Sequence, residues 1–177
     1  MGGPTVQGTP HRHAMPASVL DLYRRITRWP AGHWLFSRAV CFKAPYFASI
    51  RPRIELLEPG RCVASLRHRR RVTNHLGTVH AIALCNLAEL SGGLAIDASL
   101  PPSMRWIPKG MTVQYLRKAV GTMRAVATPA QPILEATTGY ELPVDVQVSD
   151  AAGETVIRAR ISMWVSPRSR RAKDRTS

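Results

Sequence analysis

The longest apolar stretch of the chain covers residues 79–96 and contains no proline. Its apolar residues, among them Val79, Ile82, Leu84, Leu87, Leu90, Leu94 and Ile96, fall on nearly every face of a 3.6-residue period. That is the pattern of a helix enclosed by other structure. Thr78, directly after Gly77, is its predicted N-cap. A span of about 18 residues reaches membrane-crossing length, but His80, Asn86 and Glu89 inside it would be costly in lipid, so a transmembrane segment is rejected. Glu89 stands out as a carboxylate within an almost uncharged helix, and a buried carboxylate needs a compensating reason.

The remaining pattern wraps this helix. Residues 18–29 place Val19, Leu22, Tyr23 and Ile26 at helical spacing before Pro30, and an apolar, aromatic segment over 33–50 is interrupted by Pro45. These two helices are expected to cap the domain and seal its core. From Arg53 the period changes to two: Ile54 and Leu56, then Cys62, Ala64 and Leu66, joined through Pro59-Gly60, predict a hairpin. Strand alternation resumes at Met111, Val113 and Tyr115, then at Met123, Ala125 and Ala127. Residues 143–148 and 155–165 flank a turn over 149–153. No βαβ alternation occurs. The predicted class is therefore α+β, an antiparallel sheet of about five to six strands around one long helix, with two extra N-terminal helices. The expected organisation is a disordered tail over 1–15, a helical cap over 16–50, the main domain over 51–166 and a basic disordered tail over 167–177.

Composition changes the picture in two ways. The three cysteines, Cys41, Cys62 and Cys85, have no paired spacing, which argues against a disulfide framework or zinc site and for a reducing, cytoplasmic setting. The first residues lack the apolar core of a signal peptide. The net charge of +14 suggests an anionic partner, yet it is uneven: about +5 over residues 1–50, about +5 over 51–78, about zero over 79–166 and about +4 beyond. A nucleic-acid binder would interleave aromatics with basic residues, whereas most aromatics here cluster in the N-terminal helices, so specific nucleic-acid recognition is not expected. His68, His75 and His80 lack a metal-ligand pattern, and no phosphate loop occurs. Ser91-Gly92-Gly93 lies inside the helix, where it suits close packing of sheet on helix better than a nucleophile elbow.

Taken in order, Asn74, Gly77, His80-Ala81-Ile82 and Glu89 resemble the loop Asn, the Gly, the His-Gly-Gly at the helix start and the acid two turns on that mark hotdog-fold thioesterases, in particular their PaaI-like and DUF4442-type branch. Residues 115–125 resemble the strand, turn, Gly and strand that follow, and the resemblance covers about residues 50–165. It implies a hotdog fold and hydrolysis of an acyl-CoA or acyl-carrier thioester, with no cofactor beyond the CoA moiety of the substrate. It also implies a homodimer or tetramer in which Glu89 of one protomer meets Asn74, His80 and Ala81 of the other.

The chemistry fits that spacing. A carboxylate in an apolar site has its pKa pushed toward working pH, which makes Glu89 the candidate general base or nucleophile. The first backbone N–H of a helix, that of Ala81, is the candidate oxyanion donor. By resemblance Asn74 orients the water or carbonyl and His80 lies near the thioester. Gly77, Thr78 and Ile82 are expected to line the substrate. Arg117 and Lys118, or the Arg69-Arg70-Arg71 run, are candidates for the carrier's phosphates. Ala81-Ile82 stands where the family has Gly-Gly, and Ile82 narrows the approach to the backbone. The alternatives are therefore a non-catalytic acyl-CoA or acyl-carrier binding protein, and a hydroxyacyl dehydratase using His75, which precedes Glu89 by fourteen positions. The plainer readings are a satisfied core carboxylate for Glu89 and a turn residue for Asn74.

Overall fold

The computed structural model describes residues 18–168; the tail expected over 1–15 and all but the start of that over 167–177 lie outside them. Helices α1 (Val19–Ile26) and α2 (Gly32–Lys43) and a 3-10 turn (Pro45–Ser49) precede strands β1 (Arg53–Glu58) and β2 (Arg61–Leu66). Helix α3 (Ala81–Asp97) follows, then β3 (Met104–Tyr115), β4 (Met123–Pro129), β5 (Tyr140–Ser149) and β6 (Thr155–Pro167). All pairings are antiparallel, in the order β1-β2-β4-β5-β6-β3. The sheet wraps α3 in the expected hotdog arrangement.

The period-two alternation does what it predicts. Along β5, Leu142, Val144, Val146 and Val148 are buried and Glu141, Asp145 and Gln147 exposed, so one face of the sheet closes on α3. Gly60 turns the β1–β2 hairpin at φ +72°, which an L side chain adopts only under strain. Close approach of helix to sheet explains the glycine pair. A Cβ on Gly92 would sit 2.8 Å from Ile161 Cδ1, and one on Gly93 2.9 Å from Trp106 Cη2.

The two edges of the sheet are treated differently. Helix α2 covers β1: Ser37 Oγ accepts from Ile54 N (2.8 Å), and His33 Nδ1 donates to Ile54 O (3.2 Å). Tyr23 OH adds a bond to Glu55 O (3.2 Å) and packs edge-on against buried Phe36. Strand β3, at the other end, pairs only with β6 among the described residues. An edge left bare in this way is a template for pairing.

The N-terminal helices seal this end of the core through Leu20, Tyr23 and Phe36, while Trp29, Trp34, Phe42 and Tyr46 stay exposed. A helix lying along a sheet edge can bury one side only. The third strand starts earlier than its alternation suggested, at Met104, because half-buried Trp106 is followed by exposed Ile107 and the two adjacent large apolar residues blur the period.

Candidate functional site

The site begins in the loop that delivers the chain to α3. Thr73 and Val79 pair as an isolated bridge, and Val79 N donates to Ala119 O (2.8 Å), so Val79 is extended rather than helical. Helix α3 therefore starts two residues later than expected, and its N-cap is His80, not Thr78. His80 N donates to Val72 O (2.7 Å), and His80 Nδ1 accepts from Ile82 N (3.1 Å). An imidazole that accepts at Nδ1 carries its proton on Nε2, which leaves that N–H to donate elsewhere.

Asn74 closes its own loop. Its Oδ1 accepts from Leu76 N (3.0 Å), Thr78 N (3.1 Å) and Thr78 Oγ1 (3.2 Å), and its Nδ2 donates to Thr78 Oγ1 (2.9 Å). Thr78 is thus the partner that completes this turn. Gly77 sits at φ +75° with open space around its Cβ position, so glycine serves the turn there rather than a close contact.

With Ile82 N taken by the His80 ring and Ala83 N and Leu84 N by His80 O, one N–H of the first turn is left over. Ala81 N–H has no hydrogen-bond partner among the described residues. It stands at the positive end of a 17-residue helix, half-buried, which is the arrangement that stabilises a developing oxyanion.

Glu89 is placed differently from the expectation of a buried carboxylate: it is exposed. Ile82 and Glu89 lie on one stripe of α3 that the sheet leaves exposed, with half-buried Cys85 between them. The reason lies in the sheet, which ends at β3 beside this stripe, where Tyr115 OH meets Cys85 Sγ at 3.2 Å. That hydrogen bond, and then partial burial, push the Tyr115 phenol up to about 12, so it stays protonated and able to donate. Eight positions separate Ala81 from Glu89, roughly 12 Å along the axis of the same helix. Within one chain the two groups cannot act on one carbonyl.

Arg117 and Lys118 are brought to the same end of the fold by the Val79–Ala119 bond, but Arg117 Nη1 is engaged with Glu154 Oε2 at 3.0 Å. Asn86 had drawn notice in the sequence only as a cost in lipid. It is 6 % exposed, donates from Nδ2 to Ser49 Oγ (3.2 Å), and leaves its Oδ1 without a partner among the described residues. It lines a small cavity of about 160 Å³ together with Tyr46, Ser49, Arg71, His80 and Ile82. Its signal was the one that marked Glu89, a polar residue inside an apolar run. No group of three or more His, Cys, Asp or Glu that could hold a metal occurs among the described residues, and none of their helices is long and apolar enough to cross a membrane.

The His80 cap is testable. His80→Ala should lower stability by about 1 kcal/mol, and His80→Asn, which keeps a side-chain acceptor at the cap, should recover most of it. Chemical denaturation of the two variants checks this, and equal loss in both would show that the ring is not capping.

Residues 32–165 match the profile of a domain of unknown function, DUF4442. A solved structure described only as a structural-genomics protein is 45 % identical to the chain, with a TM-score of 0.73, covering 85 % of this chain and 99 % of its own. A Pseudomonas aeruginosa protein described as of unknown function and a probable thioesterase is 25 % identical, with a TM-score of 0.66, covering 79 % and 97 %. A Haemophilus influenzae thioesterase shares the fold at 18 % identity and a TM-score of 0.64, covering 73 % and 87 %. No curated protein matches the chain.

Proposed function

The chain belongs to the DUF4442 family of hotdog-fold proteins, and from that premise we propose that it hydrolyses an acyl thioester, with Ala81 N–H as oxyanion donor and Glu89 as general base or nucleophile. The observation that carries this reading is the unpartnered Ala81 N–H at the start of a helix whose next three N–H groups are all satisfied. Solved relatives described as thioesterases support it.

The working unit is a homodimer. Glu89 lies about 12 Å along the helix from Ala81 of its own chain, so a second copy must bring its Glu89 to the first copy's Ala81. Bare strand β3, with Ile107 and Tyr115 exposed, and the exposed Ile82 and Glu89 of α3 supply adjoining surface for that copy. On closure Glu89 would leave bulk water, and the loss of hydration would favour its acting as a base. His80, which caps α3 through Nδ1, has Nε2–H left to donate toward the thioester, and Asn74 acts through the loop it closes. A second reading, a binding protein without turnover, is favoured by Ile82, 57 % exposed beside the donor, where it can contact an acyl chain but also crowd the carbonyl.

Thiol release from a panel of short, medium, long and aromatic acyl-CoAs, run beside the matching N-acetylcysteamine thioesters, tests the proposal. Cleavage of at least one thioester is expected. Binding of an acyl-CoA with no cleavage of any panel member would replace the hydrolase reading with the binding one.

A further inference from the structure

Away from the α3 N-terminus, a groove of about 930 Å³ lies between α2 and the face of β1 and β2 that alternates with their core-facing residues. Five arginines line it: Arg38 from α2, Arg51 and Arg53 at the start of β1, and Arg67 and Arg69 after β2. They come from three separate segments, so their convergence is a product of the fold and not a basic run. The ion pairs among the described residues all go to other arginines. Glu55, the carboxylate on the groove wall, is already bound to Ser65 Oγ (2.6 Å) and Arg124 Nε (2.9 Å). Burial, and then the charges of Arg51 and Arg71, hold the Arg69 guanidinium below its ordinary pKa, as expected of crowded positive charge. Arg51 also adopts φ +46°, a left-handed conformation that a long side chain takes at a cost and that here keeps it at the groove.

We propose that this groove is a polyphosphate site that holds the nucleotide end of a CoA thioester. For what the nucleotide is attached to, the proposal rests on the hydrolase reading; for the groove itself it does not. CoA carries three phosphoryl groups, whereas a carrier protein's prosthetic arm carries one, and five arginines without carboxylate partners match the former. The Trp34 indole on the groove wall, 62 % exposed, offers a face for the base. The groove and the α3 cavity adjoin at Ser49. Arg69 Nη2 donates to Ser49 O (3.3 Å), and Ser49 Oγ accepts from Asn86 Nδ2 (3.2 Å). An arm leaving the groove past Ser49 meets the unpartnered Asn86 Oδ1, to which one of its amide N–H groups can donate, and then His80. Of the sequence candidates for the phosphates, Arg69 lines the groove, whereas Arg117 and Lys118 lie outside this path.

The test is titration calorimetry of the full chain with CoA, adenosine 3′,5′-bisphosphate, a carrier protein bearing its prosthetic arm and a thymidine oligonucleotide, for wild type and for Arg53→Glu and Arg67→Glu. Both arginines are exposed strand or loop residues, so the fold tolerates the changes. CoA is expected to bind most tightly, and each reversal to weaken it at least about tenfold. On any thioester that is cleaved, the ratio of kcat/KM for the CoA form to that for the N-acetylcysteamine form should fall by a similar factor. CoA affinity indifferent to both substitutions overturns the proposal. So does bisphosphate binding that is indifferent to both substitutions, or tighter binding of the carrier protein or oligonucleotide than of CoA. Arginine-dependent CoA binding without cleavage would sink the hydrolase reading and leave the groove standing. Cleavage of CoA thioesters with no arginine dependence would do the reverse.

Discussion

Glu89→Gln is expected to lower kcat on the best thioester substrate by roughly 10²–10⁴-fold, the usual contribution of a positioned general base, with KM changed by less than about threefold. The side chain is exposed on α3 and makes no hydrogen bond among the described residues, so the substitution should move stability by no more than about 0.5 kcal/mol. Steady-state thiol release and a thermal melt on the same preparation separate the two effects. A variant as fast as wild type would remove Glu89 from the mechanism and leave it an ordinary surface carboxylate.

Ala81→Pro replaces the amide hydrogen at the first position of α3 with the ring Cδ and so removes the donor. Proline is favoured at the first position of a helix, where its missing N–H has no intrahelical acceptor, and Ala81 N–H has no partner here. His80, at φ −65° and ψ 138°, already has the extended conformation that a residue before proline prefers. Stability should stay within about 1 kcal/mol of wild type. If Ala81 N–H binds the oxyanion, kcat should fall about 10²–10³-fold, the loss typical for one such donor. Ala81→Gly, which keeps the N–H, should retain activity. Full activity in the proline variant would place the oxyanion elsewhere.

The two inactive variants together also test the geometry. If Glu89 of one copy serves Ala81 of the other, randomly mixed chains form heterodimers in which one of the two sites has both groups intact. Co-refolded equal mixtures should then recover about a quarter of the wild-type rate. No recovery above the separate variants would mean that both groups work within one chain, and the 12 Å helical separation would have to be bridged in some other way.

Local features of the chain were legible because they are set by neighbours in sequence. Gly60 and Gly153, both at positive φ, mark the hairpin turns where the sequence put them, and the alternation from Leu142 to Val148 predicts the buried face that β5 presents to α3. The Gly92-Gly93 pair was readable as close packing because nothing else explains two glycines inside a helix. The N-cap falls at His80 and not at Thr78 for a reason that lies about forty residues downstream. Thr78 and His80 are both able to cap, and the choice between them was made by Ala119 O, which takes Val79 N and keeps that residue extended.

Local sequence sets which residue types stand at the start of α3, the order of helices and strands, and the side of each strand that faces inward, since a backbone period of 2 or 3.6 is enforced within a few residues. What is covered depends on long-range packing. A helix that is apolar nearly all round buries its whole circumference only if the sheet has strands enough to enclose it, and this sheet ends at β3 and leaves Ile82 and Glu89 bare. In the same way, arginines scattered from Arg38 to Arg69 converge on one groove because α2 packs along the edge of β1. Burial and the meeting of charges depend on which distant segments lie side by side, and no local period records that.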